Sequence, residues 1–225
     1  MSQPPSVEKI WDAYNMLLSS PDVNRLGKIL TRYVLFKKTL HLPGDIVECG
    51  VFKGTSFLMF LKFLKIHCHG SLKKVVGFDF FGSTKKKVMG TLNGKDAQEM
   101  KDLFNVAKFE GVTMESILEQ ANRIYPEHSI LLDGDIRTTA TSYVQDNPGA
   151  RISLLHLDLD VEEPTYAALE ALWDRVVKGG VVVFDEYAMS KWSEANAVDK
   201  FFKDKDVLIQ TEPWMRMPTA FVIKP

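Results

Sequence analysis

Cysteine is scarce in this sequence. Only Cys49 and Cys68 occur among 225 residues, and neither belongs to a CxxC pair or a similar ligand spacing. The sequence therefore excludes a small fold that is stabilised by several disulfide bonds or built around a cysteine-rich zinc site. His67 and His69 flank Cys68, but without a second pair of ligands elsewhere this trio does not predict a zinc site. A reducing, cytoplasmic setting is expected.

An excess of charge of one sign is also missing, as are long apolar runs. Lys and Arg total 28 and Asp and Glu total 29, which gives a formal net charge of −1. No global field draws such a chain to nucleic acid or to an anionic membrane, so a small-molecule substrate is favoured. The N-terminus lacks the basic and apolar regions of a signal peptide, and no apolar run approaches the roughly 18 residues of a membrane span. We expect no nucleic-acid partner and no membrane partner.

The hydrophobic pattern predicts an α/β fold. Apolar residues at helical spacing indicate two helices within residues 6–40, and Leu42-Pro43-Gly44 ends them. Strands that are apolar on both faces then alternate with helices, which is typical of a parallel sheet covered on both sides. The predicted strands lie at residues 46–48, 74–79, 129–132, 152–159, 181–185, 207–210 and 219–223. We therefore predict one domain with a doubly wound, mostly parallel, seven-stranded sheet. Its last strand is expected to run antiparallel, because the residues between 210 and 219 are too few for a crossover helix.

Two regions stand outside this alternation. Residues 1–44 are predicted to form an N-terminal helical cap, and residues 81–125 form a long insertion with helices near 96–109 and 113–124. An insertion over the carboxyl ends of strands is often a lid. Its run Lys85-Lys86-Lys87 fits a solvated surface equally well. Apolar side chains on the N-terminal helices also fit a homo-oligomer.

The segment from Asp45 to Ser56 reads as a buried strand that breaks into a glycine turn and then a helix. This arrangement holds nucleotide-like ligands, because Gly50 and Gly54 allow close backbone approach and the helix offers unpaired N–H groups. A dinucleotide fingerprint would have glycine where this chain has Glu48. A carboxylate repels pyrophosphate and attracts a sulfonium, so the pattern favours S-adenosylmethionine over NAD. In the alternative interpretation, Glu48 is only a polar end to a core strand.

Acidic residues follow nearly every predicted strand, at the edge where doubly wound sheets bind ligands. Asp79 is a candidate to accept hydrogen bonds from two ribose hydroxyls, because a carboxylate can take both. Gly134-Asp135 is a candidate to receive the adenine amino group, and Asp133 competes for that role.

Two further strand ends are richer in acids. His156, Asp158 and Asp160 share one face of a strand because side chains alternate, and Asp185-Glu186 ends the next strand. Neighbouring strands lie about 5 Å apart, so Asp158, Asp185 and Glu186 are expected to converge. Crowded carboxylates either retain protons or hold a hard divalent cation, and we favour the cation. In the alternative, Glu186 faces solvent and Asp185 caps a helix.

Four blocks of sequence, in order, resemble the macrocin O-methyltransferase family. They span residues 42–56, 77–82, 157–165 and 179–187, and the resemblance as a whole covers about residues 30–190. It implies a Rossmann-like class I enzyme that depends on S-adenosylmethionine and methylates sugar hydroxyls of natural products, with Mg²⁺ at the active site. Two departures affect the expected substrate, since many relatives have aspartate at the position of Glu186 and tyrosine at that of Glu162.

By position, the resemblance implies a set of site residues. The turn after the first strand would bind the methionine end of the cofactor, and the next two strand ends would bind its nucleoside. The cofactor residues in this prediction are Glu48, Gly50, Gly54, Thr55, Ser56, Asp79, Gly134 and Asp135, and the metal residues are Asp158, Asp185 and Glu186.

The predicted reaction is an in-line transfer of the sulfonium methyl to a hydroxyl, assisted by Mg²⁺, which makes the oxygen a better nucleophile. Asp158 acts through the metal, and Asp160 and His156 are candidate bases. Asp160 is preferred, because a histidine within a strand is more often a hydrogen-bonded core residue. The alternatives are a catechol-type phenolic O-methyltransferase and a non-catalytic protein that kept the cofactor fold. A nicotinamide dehydrogenase ranks third because of Glu48.

Overall fold

In the computed structural model, six strands form one sheet in the order β3-β2-β1-β4-β5-β6. The structure describes residues 4–81, 88–92, 94–106 and 112–225, so the predicted surface lysines 85–87 lie outside the described residues. The strands are β1 (Asp45–Cys49), β2 (Val75–Asp79), β3 (Ser129–Asp133), β4 (Ile152–Leu157), β5 (Val176–Phe184) and β6 (Ala220–Ile223).

Eight helices accompany the sheet in the described part of the chain. They are α1 (Val7–Ser19), α2 (Asn24–Lys38), α3 (Thr55–His67), α4 (Gly94–Val106), α5 (Met114–Ile124), α6 (Ile136–Asp146), α7 (Glu162–Leu172) and α8 (Glu194–Phe202), and a short 3-10 helix, Trp173–Arg175, follows α7. The sequence analysis did not predict α6. No helix within these ranges has the length and apolarity that crossing a bilayer requires.

The sheet topology confirms the predicted doubly wound fold. β1 pairs in parallel with β2 on one side and with β4 on the other, while β6 alone pairs antiparallel, with β5. The chain moves outward from β1 to β3 and then returns to place β4 on the other side of β1. The crevice where the strand order reverses is the usual ligand site of such sheets.

The predicted seventh strand at residues 207–210 is wrong. Only Gln210 pairs there, through an isolated antiparallel bridge to Phe221 with hydrogen bonds of 2.8 and 2.9 Å. Val207 and Ile209 are only partly buried against the core and Leu208 between them is 73% exposed, so these residues pack on the domain without forming a further ladder.

Two apolar layers cover the sheet, because its strands alternate between them. Val47 and Cys49 of β1 face a cluster built with α6, α7 and α8, whereas Ile46 faces a cluster that includes Phe57 and Phe60 of α3. Glu48 has the parity of Ile46, which directs its side chain into the second layer.

The two predicted appendages differ in how they pack. α1 buries none of its side chains, whereas α2 packs against α3 and β5. In the insertion, α5 contributes Ile117 and Ala121 to the core. The roles of residues 1–44 as a cap and 81–125 as a lid stay predictions.

Candidate active site

A cavity of about 570 Å³ lies at the carboxyl edge of the sheet, beside the ends of β1, β2, β4 and β5. Side chains from α2 and from the 88–106 region complete its wall. The predicted site residues that line it are Gly50, Thr55, Ser56, Asp79, Gly134, Asp135, Asp158, Asp160, Asp185 and Glu186. Glu48 and His156 are fully buried behind this wall.

The glycine turn after β1 requires its glycines. Gly50 has φ of +93°, and a Cβ there would lie 1.8 Å from the backbone oxygen of Asp158. The Asp158 amide donates to the Cys49 carbonyl at 2.8 Å, so the ends of β1 and β4 are in direct contact. Gly54, with φ of +82°, turns the chain into α3. At Gly50 the turn therefore brings bare backbone to the cavity wall.

Asp79 lies at the end of β2, as predicted. Its Oδ2 accepts a hydrogen bond from the Phe52 amide at 2.5 Å, and Phe52 itself has a left-handed φ of 50°. Burial raises the pKa of the Asp79 carboxyl to about 6, although backbone hydrogen bonds oppose the shift. A carboxylate that is held in place and faces the cavity can accept hydrogen bonds from a ligand diol.

Asp135 has a partner that the sequence analysis missed. It caps α6, and its Oδ1 accepts from the Arg137 backbone amide at 3.0 Å and from Arg137 Nε at 2.9 Å. Arg137 also donates to Glu163 at 2.9 Å. The competing residue, Asp133, accepts from the Phe81 amide at 2.9 Å. Arg137 follows Asp135 by two residues in an Asp-x-Arg sequence at a helix start, which is a local pattern that could have revealed the pair.

A buried charge network lies behind the cavity. Oε1 of Glu48 is 3.0 Å from His156 Nδ1, and His156 Nε2 is 3.3 Å from Asp185 Oδ1. Burial opposes a charge on the imidazole, but the two carboxylates outweigh it and raise the pKa of His156 to about 9. Both ring nitrogens are engaged, which favours the interpretation of His156 as a hydrogen-bonded core residue.

Arg32 completes this network and was not predicted. Its Nη2 lies 2.8 Å from Asp185 Oδ1 and 3.6 Å from Asp158 Oδ2, and the side chain is 5% exposed. Burial alone would raise the pKa of Asp185, but Arg32 and His156 hold it below its usual value. An arginine on the buried face of a helix was the available indication in the sequence.

The predicted metal acids surround one part of the cavity. Among the described residues, the compact group of potential ligands is His156, Asp158 and Asp185, whose ligand atoms lie within 4.8 Å of one another. Glu186 is outside that group, but it lines the same cavity, and its Oε2 is buried without a hydrogen-bond partner. Burial and the charges of Asp185 and Asp158 raise the pKa of Glu186 to about 8. Crowded carboxylates with an unpartnered oxygen fit a hard divalent cation.

Asp160 lies on the same rim in a left-handed conformation, with φ of 65°. Burial, and then the charges of Glu186 and Asp185, raise the pKa of its carboxyl to about 7. Backbone strain of this kind persists where the surroundings enforce it, and it is frequent at functional sites.

The comparison with protein families gives one match that covers most of the chain. Residues 25–217 match the model of the macrocin-O-methyltransferase (TylF) family. A curated relative from Streptomyces olivaceus, 8-demethyl-8-(2,3-dimethoxy-alpha-L-rhamnosyl)-tetracenomycin-C 4'-O-methyltransferase, is 29% identical over 157 residues. That match covers 68% of this chain but only 57% of the relative.

Solved structures share the fold. The calicheamicin methyltransferase CalS11 superposes with a TM-score of 0.74 at 24% identity, covering 99% of this chain and 94% of that chain. Its apo form, described as a TDP-rhamnose 3'-O-methyltransferase, gives 0.71 at 24% identity, with coverages of 99% and 96%. The O-methyltransferase NovP gives 0.73 at 20% identity, with coverages of 88% and 79%.

Proposed function

Because the chain belongs to the macrocin O-methyltransferase family, we propose that it transfers a methyl group from S-adenosylmethionine to a sugar hydroxyl of a small molecule. One observation carries the proposal: a single cavity at the crossover of the sheet joins the Gly50 turn and Asp79 to the acids Asp158, Asp185 and Glu186. The first part of this wall suits a nucleoside cofactor, and the second suits a hydroxyl that must lose its proton.

The cofactor residues act by position and charge. S-adenosylmethionine supplies a methyl group on a positively charged sulfur. Asp79 binds the ribose hydroxyls, Gly50 and Ser56 face the methionine end, and Gly134-Asp135 lies beside adenine. Arg137 fixes the Asp135 carboxylate through hydrogen bonds of 2.9 and 3.0 Å from Nε. The cavity volume and the bare backbone at Gly50 support this assignment, because they leave room for a flat nucleoside and an extended tail.

Asp158, Asp185 and Glu186 are proposed to hold Mg²⁺. When bound, the cation would stabilise negative charge on the acceptor oxygen. Arg32 keeps Asp185 ionised and oriented through its 2.8 Å contact, so this ligand needs no proton to be stable in the apo protein. Glu186 supplies a carboxylate oxygen that lacks any other partner.

Asp160 is proposed as the base, because its pKa of about 7 is close to the working range of a proton acceptor. A small apolar cluster of Leu92, Met100 and Val161 lines the cavity nearby. These side chains exclude water from the reacting groups, which strengthens the local electrostatics.

The acceptor is proposed to be a deoxysugar such as rhamnose. The Streptomyces relative acts on a rhamnosyl group of a glycosylated aglycone, and CalS11 is described as acting on TDP-rhamnose. Both are sugar hydroxyls, but one acceptor is a neutral glycoside and the other a nucleotide.

The test is methyl transfer by the purified chain, measured by mass spectrometry with methyl rhamnoside, TDP-rhamnose and catechol as acceptors. We expect the sugar products to form, with Mg²⁺ supporting the rate and a chelator abolishing it. Asp79→Asn should weaken binding of S-adenosylhomocysteine by about tenfold or more, because it removes a charged hydrogen-bond acceptor. The matched control, Asp146→Asn, changes an exposed carboxylate at the end of α6. Methylation of catechol alone, or full activity of Asp158→Asn in chelator, would contradict the proposal.

A further inference from the structure

One face of α2 presents cations to the cavity. Arg25, Lys28, Ile29 and Arg32 line it, at the i, i+3, i+4, i+7 spacing of a single helix face. The acids that follow the strands line the same cavity. The three positive side chains of this helix face differ in their partners.

Two of the three cations, Arg32 and Lys28, interact with acids of the cavity. Arg32 contacts Asp185 and Asp158. Lys28 is half-buried, and its charge lowers the pKa of Glu186 and Asp160 against the effect of burial. Both therefore balance the acids where the reaction is proposed to occur.

Arg25 is different. It lines the cavity from the first turn of α2, its side chain is exposed, and no hydrogen bond or ion pair to it is found in the part of the chain that the structure describes. Within the described ranges, the guanidinium of Arg25 thus lines the cavity with its hydrogen-bond donors available to a ligand.

Arg25 lies at a definite distance from the acids of the proposed reaction centre. Arg25 precedes Arg32 by seven residues, which is about 10 Å along the helix axis. A sugar whose hydroxyl lies beside Asp158 would span much of that length with its ring and its anomeric oxygen. Whatever substituent the anomeric carbon carries would then lie beside Arg25 and Lys28.

Contacts at two points along α2 fix the position of Arg25 relative to the reaction centre. Arg216 Nη1 donates to Asn24 Oδ1 at 2.5 Å at the start of the helix, and Arg32 is paired with Asp185, just after β5, further along it. Leu35 and Phe36 are buried in the core between α2 and the sheet.

We propose that the acceptor is a sugar carried on a nucleoside diphosphate, and that Arg25 binds the diphosphate. The inference rests on the proposed sugar methylation and names the form of its substrate. A guanidinium binds phosphate oxygens in pairs and keeps its charge at any working pH, whereas a neutral glycoside would leave Arg25 without a partner.

The test compares binding and turnover for charged and neutral forms of the same sugar. Calorimetry of the S-adenosylhomocysteine-loaded protein would use thymidine diphosphate, TDP-rhamnose and methyl rhamnoside. We expect the first two to bind, with an affinity that falls as salt is raised. Arg25→Ala should weaken both by about tenfold or more, and Arg25→Lys should recover part of the loss. Lys37→Ala, which removes an exposed cation of α2 outside the cavity, is the control and should change neither.

Turnover separates this inference from the proposed function. For TDP-rhamnose, Arg25→Ala should raise KM and leave kcat nearly unchanged, because the diphosphate lies away from the reacting oxygen. Two results would overturn the diphosphate site and leave the proposed methyl transfer unaffected. One is that methyl rhamnoside binds with the same affinity as TDP-rhamnose. The other is that Arg25→Ala weakens the binding of both sugars equally. Binding of thymidine diphosphate that depends on Arg25, with no methylation of any sugar, would instead overturn the proposed reaction and keep the site.

Discussion

The guanidinium of Arg32 lies between two strand ends, 2.8 Å from Asp185 Oδ1 just after β5 and 3.6 Å from Asp158 Oδ2 after β4. A residue that precedes the sheet in the chain thus provides the cation nearest to the proposed metal acids. This contact joins α2 to the carboxyl edge of the sheet, and it makes the N-terminal part of the chain a component of the site.

Replacing Arg32 should destabilise the fold. Arg32→Met keeps the length of the side chain but leaves the buried Asp185 carboxylate with His156 as its remaining side-chain hydrogen-bond partner among the described residues. Breaking a buried ion pair by removing one partner costs about 3–5 kcal/mol, so we expect a loss of that order in the free energy of unfolding. Urea unfolding followed by circular dichroism would measure it.

Lys37→Met is the matched control for this change, because Lys37 is an exposed cation of the same helix. It should alter the unfolding free energy by less than about 0.5 kcal/mol. An equally small effect of Arg32→Met would show that the pair with Asp185 contributes little to stability.

Gly50 should tolerate no side chain. In Gly50→Ala the new Cβ would meet the Asp158 carbonyl oxygen at 1.8 Å, and the backbone has φ of +93°. Either β4 or the turn must move, and we expect a loss of about 3 kcal/mol or more in stability, together with weaker cofactor binding.

Gly149→Ala provides the comparison, since nothing lies within 4 Å of a Cβ built there and the residue is exposed. Thermal unfolding should separate the two variants clearly. Equal melting temperatures would mean that the turn after β1 can rearrange freely.

The ends of the strands were the predictable part of this molecule. Asp79, Asp158 and Asp185 follow apolar runs, and because parallel strands end at one edge, their convergence could be inferred without any distance. The glycine turn was equally visible, since Gly50 and Gly54 both adopt the positive φ that favours glycine.

Long-range pairing was not predictable in the same way. Arg32 and Asp185 are 153 residues apart, and periodicity along α2 does not show which strand end the arginine reaches. The unpredicted helix α6 has a polar composition, IRTTATSYVQD, with β-branched threonines that disfavour helices locally. Its burial of Ile136, Ala140 and Tyr143 against the sheet outweighs that preference.

The raised pKa of Asp79 predicts a pH dependence of stability. Its carboxyl has a pKa of about 6 in the fold and an ordinary value of 3.8, so between about pH 4 and 6 the native state retains a proton that the unfolded chain has lost. The native state then binds more protons than the unfolded state, and stability from this group falls as pH rises through that window. Urea unfolding at pH 4.5 and 7 should show a smaller fall in Asp79→Asn than in the wild type.

Asp146→Asn, at an exposed position, should follow the wild type in that experiment. A wild-type profile that matches Asp79→Asn at both pH values would mean that Asp79 titrates normally in the folded protein.

A substitution of Glu48 would show whether this residue contacts the cofactor or has a structural role. The sequence predicted that its carboxylate lies beside the sulfonium, and that prediction has not been tested. In the structure, the side chain is fully buried, and its Oε1 is 3.0 Å from His156 Nδ1, behind the cavity wall. We therefore expect Glu48→Gln, which keeps the shape and removes the charge, to act mainly on stability.

The expected loss in Glu48→Gln is about 1–3 kcal/mol, because a buried hydrogen bond between charged groups is weakened. Binding of S-adenosylhomocysteine, measured by calorimetry, should change by less than about threefold, since a side chain behind the wall contributes only through the position of His156 and Asp185. A loss of affinity comparable to that of Asp79→Asn, with stability unchanged, would show that Glu48 reaches the ligand. The negative charge behind β1 would then act on the cofactor directly, and the buried network with His156 would have to open when the cofactor binds.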